Sequence, residues 1–344
     1  MTSRTPDTVP LSALDLAMVV EGATSADALR DTTILARAAE SFGYQRFWVA
    51  EHHNMPSVAS TSPAVLMAHV AAHTERIKVG SGGVMLPNHA PFVIAEQFAM
   101  LEALHPGRVD LGIGRAPGTD QATAAALRRS PDDLGAEDFP RHLIDLMGML
   151  GDRRSASGVW DRLRPTPVST SSPSIVLLGS SGYSAQLAGL LGLPFAFAHH
   201  FDMGGVFQAV TLYREAFEPS PILDEPHLIV TANALAADTD EEAQFQAGPG
   251  RIMMLARQTG RFLPITSPDV AAQDPNLELA RTLPSTRVVG DPSFVIEQLV
   301  DLVHRTGADE LMLSTVAFDV AARSRSLELI AGAWPSRAAA GAPA

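Results

Sequence analysis

The sequence alternates short apolar runs with longer, alanine-rich amphipathic segments, and this alternation limits the chain to a few folds. Such a pattern predicts strands and helices in alternation around a parallel sheet. The predicted strands are residues 15–20, 47–50, 77–85, 108–113, 175–178, 195–198, 227–235 and 310–314. Eight strands without a break in composition favour a single (β/α)8 TIM barrel. A doubly wound open sheet is the alternative.

The connections between the predicted strands are mostly helical. Ser25 is the predicted cap of the first helix and Gly43 follows its end. The predicted helices are residues 26–42, 63–73, 91–104 and 139–150.

Two connections do not fit a simple repeat. Residues 151–173 are expected to form an irregular crossing. Residues 246–286, interrupted by prolines and glycines, predict either a mobile lid over an active site or a disordered surface insertion. We expect one domain at 14–336, with flexible tails at 1–13 and 337–344.

Composition excludes several classes of function. The net charge of −13 argues against nucleic acid and anionic membranes as partners, because both need a basic face. The chain has no cysteine, which excludes disulfides, thiolate nucleophiles and cysteine-ligated metals. No apolar run approaches the roughly 18 residues of a membrane span. We therefore expect a cytoplasmic protein.

The second predicted strand ends in titratable groups. Its apolar residues run directly into Glu51, His52 and His53. In parallel α/β folds the carboxyl ends of the strands carry the active site. A histidine there can exchange a proton near neutral pH. The sequence indicates a catalytic acid–base histidine or, alternatively, a histidine pair that caps a turn.

The fourth predicted strand ends in glycine and arginine. Gly112 and Gly114 share one face of the strand, which permits close approach of a ligand or another backbone. Arg115 follows at the strand tip, where a guanidinium suits a phosphate or carboxylate. The alternative is that the glycines pack against a helix and Arg115 forms a structural ion pair. A dinucleotide fingerprint fails, because Pro117 stands where the third glycine belongs.

The fifth predicted strand leads into serines at the start of a helix. Ser180, Ser181 and Ser184 lie around its first turn. Hydroxyls and free N–H groups at a helix start form an anion site. Arg115, on the adjacent strand, could supply the countercharge. Simple N-capping by serine is the alternative.

The third predicted strand carries Gly80, Gly82 and Gly83. A glycine cluster in a strand indicates a strained backbone or a flat object lying against it. With a phosphate pocket and a histidine, this wall suits a planar phosphorylated cofactor, either FMN or pyridoxal phosphate. Pyridoxal phosphate would need a lysine at a strand tip, and the single lysine, Lys78, lies at the start of a strand.

With these motifs in order, the sequence resembles the luciferase-like family of flavin-dependent monooxygenases, which includes the bacterial luciferase subunits. The resemblance covers residues 14–333, and its most specific segments are 51–53, 79–87, 105–108, 112–115 and 179–181. It implies a barrel that binds reduced FMN at the carboxyl ends of its strands. The sequence of residues 114–118 is more similar to luciferase-like oxidoreductases of unassigned substrate than to light-emitting luciferase.

The resemblance also assigns roles to residues. His52 matches a histidine regarded as the catalytic acid–base group, and Gly82 and Gly83 match a non-proline cis peptide against the flavin ring. The predicted cofactor-binding residues are Ala50, Gly82, Gly83, Gly114, Arg115, Ser180, Ser181 and Ser184. Gly114 replaces luciferase's reactive cysteine, and Ser180 replaces a glutamate, which makes the phosphate pocket less acidic.

The reaction implied is that of a two-component monooxygenase. An NAD(P)H:flavin reductase would supply reduced FMN, which reacts with O2 to give a C4a-peroxyflavin. His52 would exchange a proton during oxygen transfer to a small organic substrate such as an aldehyde or ketone. The alternatives are a dehydrogenase that uses coenzyme F420 and a non-catalytic flavin-binding accessory subunit.

The remaining histidines do not show the spacing of a metal site. His69 and His73 lack the glutamate of a metalloprotease arrangement. His199 and His200 follow the sixth strand, and we expect them to line the substrate pocket. A homodimer is expected from the resemblance.

Overall fold

The structure is a computed structural model that describes residues 9–128, 137–201, 204–258, 260–261 and 263–335. Within these residues the strands are β1 (Leu11–Asp15), β2 (Arg46–Val49), β3 (Lys78–Ser81), β4 (Val84–Met85), β5 (Val109–Gly114), β6 (Ser174–Gly179), β7 (Phe195–Phe197), β8 (Leu228–Ala236), β9 (Val288–Gly290) and β10 (Glu310–Ser314). Eight of these described strands, all but β4 and β9, pair in parallel in chain order, and β10 closes the ring by pairing with β1. The predicted TIM barrel is confirmed.

Helices connect the strands and cover the outside of the barrel. They are α1 (Ser25–Ser41), α2 (Pro63–Ala72), α3 (Pro91–Leu104), α4 (Gln121–Arg128), α5 (Phe139–Met149), α6 (Gly182–Leu190), α7 (Val206–Glu215), α8 (Asp240–Gln258), α9 (Pro268–Ala272), α10 (Leu277–Thr282), α11 (Pro292–Thr306) and α12 (Val320–Ala333). Every residue of β1, β5, β8 and β10 is buried, because one face of each strand points into the barrel and the other packs against helices.

The first helix begins where side chains satisfy its free backbone groups. The Thr24 hydroxyl accepts a hydrogen bond from the Asp27 N–H, and the Asp27 carboxylate accepts one from the Thr24 N–H. The cap is therefore Thr24, and the prediction of Ser25 was wrong by one residue. Gly43 follows the helix end with a φ of 84°, as its position predicted.

The first barrel strand is β1, so the prediction of a strand at 15–20 was wrong. β1 was not predicted because its sequence includes polar residues, of which Ser12 is an example. Its hydroxyl donates a hydrogen bond to the buried carboxylate of Glu310, on the neighbouring strand. Because this partner is far away in the sequence, the burial of Ser12 could not be read locally. Residues 11–13, expected in a flexible tail, belong to the barrel, and the outermost residues of both tails lie outside the described part.

The strand predicted at 77–85 is in fact two strands. β3 ends at Ser81 and β4 begins at Val84. The peptide bond between Gly82 and Gly83 is cis, as the resemblance implied. β3 pairs with β2 and β5, and β4 pairs with β5 further along.

The barrel interior is filled below its mouth. Near the amino ends of the strands, Arg46 forms ion pairs with the buried carboxylates of Asp110 and Glu310, at 2.8 and 2.9 Å. Above this network lies an apolar cluster made of Leu14, Trp48, Val176, Ala196, Ile229 and Met312. A ligand therefore has to enter from the carboxyl ends of the strands.

The segment 246–286 carries helices. It contains most of α8 and all of α9 and α10, and Ile265, Ala271 and Leu277 are buried. For the described part of this segment, a disordered insertion is therefore wrong. The segment 151–173 is irregular, as predicted, apart from a short 3-10 helix at Val159–Asp161. None of the helices described has both the length and the apolar character that crossing a bilayer requires.

Candidate active site

A cavity of about 340 Å³ opens at the carboxyl ends of the strands. All but one of the nine predicted site residues line it, namely His52, Gly82, Gly83, Gly114, Arg115, Ser180, Ser181 and Ser184. The exception is Ala50, which is buried and whose carbonyl accepts a hydrogen bond from the Ser60 hydroxyl. The residues converge because the carboxyl ends of parallel strands meet at one end of a barrel.

One wall of the cavity is backbone. A Cβ atom on Gly82 would lie 2.7 Å from Leu14 Cδ1, and one on Gly83 would lie 2.9 Å from the carbonyl oxygen of Gly112. Both contacts are with protein atoms, so the surrounding packing keeps these two positions free of side chains. Because Gly82, Gly83 and Gly114 also line the cavity, this part of its wall carries no side chains and suits a planar ring.

Two other glycines serve packing instead. A Cβ on Gly80 would lie 2.3 Å from the indole nitrogen of Trp48, and one on Gly112 would lie 2.0 Å from the carbonyl oxygen of Ser81. Neither glycine is among the residues that line the cavity. For Gly112 the packing alternative is therefore correct, although the close contact is with the neighbouring strand rather than a helix.

The start of α6 forms a second wall. Ser181 occupies the N-cap position, but among the described residues its side chain makes no capping hydrogen bond. The capping alternative is therefore not realised, and the first N–H groups of the helix can serve an anion. Ser184 is buried beside them. A Cβ on Gly179 would lie 2.5 Å from Ser184 Oγ. The absence of a side chain on Gly179 therefore leaves room for the Ser184 hydroxyl at the end of β6.

Arg115 lies next to this helix start. Its guanidinium carbon is 4.1 Å from the centre of the Tyr183 ring. Within the described part of the chain, no ion pair involves Arg115. The structural ion pair considered from the sequence is therefore not found there. Stacking on Tyr183 holds a planar cation at the edge of the cavity, where it can pair with an anion.

His52 brings a titratable ring into the cavity. Its Nδ1 lies 3.2 Å from the carbonyl oxygen of Gly118. In the neutral ring Nδ1 therefore carries the proton, and Nε2 keeps a lone pair that can accept one. Burial lowers the pKa of His52, and the charge of Arg257 adds to this, whereas the hydrogen bond to Gly118 opposes it. The net shift is downward, so His52 is neutral at neutral pH.

The neighbouring His53 has a different role. Its Nε2 donates to Glu51 at 2.8 Å, and Glu51 also accepts from His89 Nε2 and the Met85 N–H, both at 2.9 Å. Burial opposes the ionisation of Glu51, but the hydrogen bonds from His89, His53 and Met85 outweigh it and hold the pKa below its ordinary value. This buried carboxylate ties the loops after β2 and β4 together.

Each of the two alternatives for the histidine pair, a structural role and an acid–base role, therefore applies to a different member of the pair. His53 is held by structural hydrogen bonds, and His52 faces the cavity. His89 was missed by the sequence analysis, because it does not stand directly at the end of the predicted strand 77–85 but follows a short 3-10 helix at Leu86–Asn88.

A smaller cavity of about 80 Å³ adjoins the first and shares His52, His200 and Phe201 with it. Its other lining residues are Leu16, Met18, Met55, Ser57, Val58, Asn233, Met253, Arg257, Leu263, Arg287, Ser314, Thr315 and Val316. Met253, Arg257 and Leu263 belong to the segment 246–286. That segment thus forms part of the site wall, in agreement with the lid alternative, while its mobility stays a prediction.

His200 lines both cavities, as expected from its position, whereas His199 is not among the lining residues. Burial, followed by the charges of His52, His199 and Arg257, lowers the pKa of His200 to about 3. The His200 ring is therefore neutral at neutral pH. Among the described residues, no group of three or more His, Asp or Glu side chains could hold a metal ion.

Comparison with known proteins agrees with this geometry. The family model for luciferase-like monooxygenases matches residues 14–310. The chain belongs to this family. The luciferase-like monooxygenase of Escherichia coli K12 is 43% identical over 329 residues, which cover 94% of this chain and 97% of that protein. The prediction that the chain is a luciferase-like monooxygenase is confirmed.

Two further proteins are similar to most of this chain. The N-acetyl-S-alkylcysteine monooxygenase of Bacillus subtilis strain 168 is 40% identical over 237 residues, which cover 69% of this chain and 70% of that protein. The crystal structure of apo-MsnO8 has a TM-score of 0.86 at 36% identity and covers 96% of this chain and 98% of its own.

More distant structures share the fold alone. One is the oxygenating component of a 3,6-diketocamphane monooxygenase of Pseudomonas putida in complex with FMN (TM-score 0.71, 19% identity, 94% of this chain and 97% of that one). Another is an F420-dependent secondary alcohol dehydrogenase (TM-score 0.65, 15% identity, 95% and 99%). The fold thus accommodates more than one type of flavin, and the choice for this chain depends on its own residues.

Proposed function

We propose that this chain is an FMN-dependent monooxygenase, which receives reduced FMN from a separate reductase and oxygenates a small organic substrate with O2. The observation that carries the proposal is a single cavity that combines a glycine wall, an anion cradle and a neutral histidine. When bound, reduced FMN would supply the electrons that activate O2, one oxygen atom going to the substrate and the other to water.

The residues of the larger cavity fit FMN at both ends of the molecule. The backbone wall at Gly82 and Gly83 suits the flat ring. The hydroxyls of Ser181 and Ser184, with the first N–H groups of α6, suit the phosphate, and Arg115 supplies the countercharge.

Charge favours FMN over coenzyme F420. Among the described residues that line the larger cavity, Arg115 is the one cation, because His52 and His200 are neutral. One guanidinium and one helix start match a single phosphate. A deazaflavin with a longer anionic tail would need more basic residues.

His52 is the proposed acid–base group. With Nδ1 held by the Gly118 carbonyl, Nε2 can take a proton from the substrate or return one to it. The downward shift of its pKa keeps Nε2 unprotonated at neutral pH, which is the state that a base needs. The smaller cavity adds apolar side chains, among them Leu16, Met18 and Met55, to the surroundings of His52.

Partners follow from the same proposal. A soluble NAD(P)H:flavin reductase would supply reduced FMN, and we place this reaction in the cytoplasm. Adjacent helices α2 and α3 expose Val65 (70%), Val93 (48%), Met100 (52%) and Leu104 (62%), which supports a homodimer through these helices. The relative that is named for N-acetyl-S-alkylcysteine makes such thioether acids the first compounds to test.

The test is a stopped-flow measurement. Protein loaded anaerobically with reduced FMN is mixed with oxygenated buffer, and the visible absorbance of oxidised FMN is followed with and without substrate candidates. We expect oxidised FMN to appear more slowly than in a protein-free control. We also expect isotopically labelled O2 to place one labelled atom in the product.

The His52→Ala variant separates the alternatives. It should bind FMN like the wild type but lose about 10²- to 10⁴-fold of the rate of substrate oxygenation. Binding of FMN by the wild type and the variant alike, with no substrate oxygenation by either, would identify a binding subunit. Reoxidation at the protein-free rate, together with tight binding of F420, would identify a dehydrogenase.

A further inference from the structure

A single carbonyl group binds both the ring of His52 and the backbone next to it. The Gly118 carbonyl oxygen accepts hydrogen bonds from Nδ1 of His52 and from the His53 N–H, both at 3.2 Å. These distances lie at the long end of the range for N–H···O hydrogen bonds, so a small displacement of Gly118 would break them. The orientation of the His52 ring therefore depends on what holds Gly118 in place.

Gly118 lies in a segment that packs against the loop after β2. Its φ is 67°, and a Cβ at this position would lie 2.7 Å from the carbonyl oxygen of Glu51. A glycine permits both the conformation and the close approach. Contact alone does not fix the direction of the Gly118 carbonyl, because glycine has more backbone freedom than any other residue. The neighbours of Gly118 have to supply the restraint.

A side chain holds the residue on each side of Gly118. Before it, the Pro117 carbonyl accepts a hydrogen bond from the side-chain amide of Asn88 at 3.0 Å. After it, the Thr119 hydroxyl donates to the His53 carbonyl at 2.7 Å. His53 thus binds Gly118 through its N–H and Thr119 through its carbonyl. The two segments are joined twice at one residue, and the shorter of the two hydrogen bonds is the one from Thr119.

The start of α4 does not depend on the Thr119 hydroxyl. The Asp120 carboxylate accepts the Thr123 N–H at 3.0 Å and the Thr123 hydroxyl at 2.7 Å. The Thr119 hydroxyl is 3.4 Å from the same carboxylate. Because a hydroxyl has one proton, the shorter contact with His53 takes it. The hydrogen bond from Thr119 therefore serves the loop that carries His52 rather than the helix.

We infer that Thr119 is a positioning residue: its hydroxyl fixes the Gly118 carbonyl, which keeps the proton of the neutral His52 ring on Nδ1. A neutral imidazole can carry its proton on either nitrogen, and the hydrogen bond at one nitrogen decides the state of the other. When the Gly118 carbonyl is displaced, part of the population carries the proton on Nε2, which then has no lone pair to accept another. That the Nδ1–H tautomer acts as the base in oxygenation rests on the proposed function.

The test is nuclear magnetic resonance of the full chain with nitrogen-15-labelled histidine at about pH 8, where the rings are neutral. The H52Q variant identifies the signals of His52. We expect a protonated Nδ1 and an unprotonated Nε2 in the wild type. T119V has nearly the same shape but no hydroxyl, and the ratio of the Nδ1–H to the Nε2–H tautomer should fall about fivefold, as for the loss of one hydrogen bond. T119S keeps the hydroxyl and should restore the wild-type ratio.

T123V is the matched control. It also replaces a threonine hydroxyl near the start of α4, but the bond that it loses goes to Asp120 and not to the loop that carries His52. Its tautomer ratio should equal that of the wild type. Unchanged signals of the other histidines show that the variants are folded. A wild-type ring with its proton on Nε2, a T119V ratio equal to that of the wild type, or an equal shift in T123V would each overturn the inference.

The measurement involves neither O2 nor FMN, so it separates this inference from the proposed function. A tautomer that depends on Thr119, in a protein that does not oxygenate, would refute the function alone. An active oxygenase in which T119V leaves the His52 tautomer unchanged would refute the positioning role alone.

Discussion

We expect the H200Q variant to lose less stability than the wild type when the pH falls into the mildly acidic range. Burial, and then the charges of His52, His199 and Arg257, lowers the pKa of His200 from 6.5 to about 3. In the unfolded chain the ring takes up a proton near its ordinary pKa. Between these two values the unfolded state binds more protons, so stability is lost as the pH falls from about 6.5 towards about 3.

The size of this effect follows from the shift. At about pH 5 the ring lies about 1.5 pH units below its ordinary pKa, and each unit is worth about 1.4 kcal/mol, so the loss is about 2 kcal/mol. This is an upper bound, because His200 as a whole residue is only partly buried. Glutamine has no such titration and can still donate a hydrogen bond to the backbone of Thr231, the partner of His200.

The assay is urea denaturation of wild type and H200Q at about pH 7 and about pH 5. Other titratable groups contribute almost equally to the pH dependence of the free energy of unfolding in each protein, so their effects largely cancel in the difference. H69Q, at an exposed histidine, serves as the control. We expect the wild type and H69Q to lose up to about 2 kcal/mol more than H200Q between the two pH values. Parallel losses in all three proteins would show that the fold does not hold His200 neutral.

Three further substitutions test the site. R115M should weaken FMN about tenfold in a fluorescence titration but leave riboflavin, which lacks the phosphate, unaffected; equal losses for both would refute the phosphate role. E51Q should lower the free energy of unfolding by about 2 kcal/mol, because the amide no longer accepts charge-assisted hydrogen bonds from His53 and its neighbours. The exposed E75Q is the control, and equal stability of the two variants would refute the argument. G118A should cost about 1–2 kcal/mol, because residue 118 has a φ of 67°. A shift of the backbone at residue 118 should also weaken the hydrogen bond that His52 Nδ1 donates to the carbonyl oxygen there. Because this bond raises the pKa of His52, the acid limb of the rate profile should move to lower pH; a shift to higher pH would contradict this.

Local patterns predicted most of the fold. The predicted helix at 91–104 and the predicted strand at 310–314 match α3 and β10 residue for residue, because Pro91 marks a helix start and an uninterrupted apolar run marks a buried strand. The first strand was misplaced because the partner of Ser12 lies at the other end of the chain. The strand at 77–85 looked continuous, since Gly82 and Gly83 do not interrupt an apolar run.

The sequence by itself determined which chemical groups gather in the site. His52, Arg115 and Ser184 follow strand ends, and in a parallel barrel these ends must meet. Only the tertiary structure decided how each group is used. It paired His53 with Glu51, set Gly112 against a neighbouring strand, and built a second cavity from residues scattered between positions 16 and 316. The shape and charge of a cavity depend on contacts between residues far apart in the chain, and no local period of the sequence encodes such contacts.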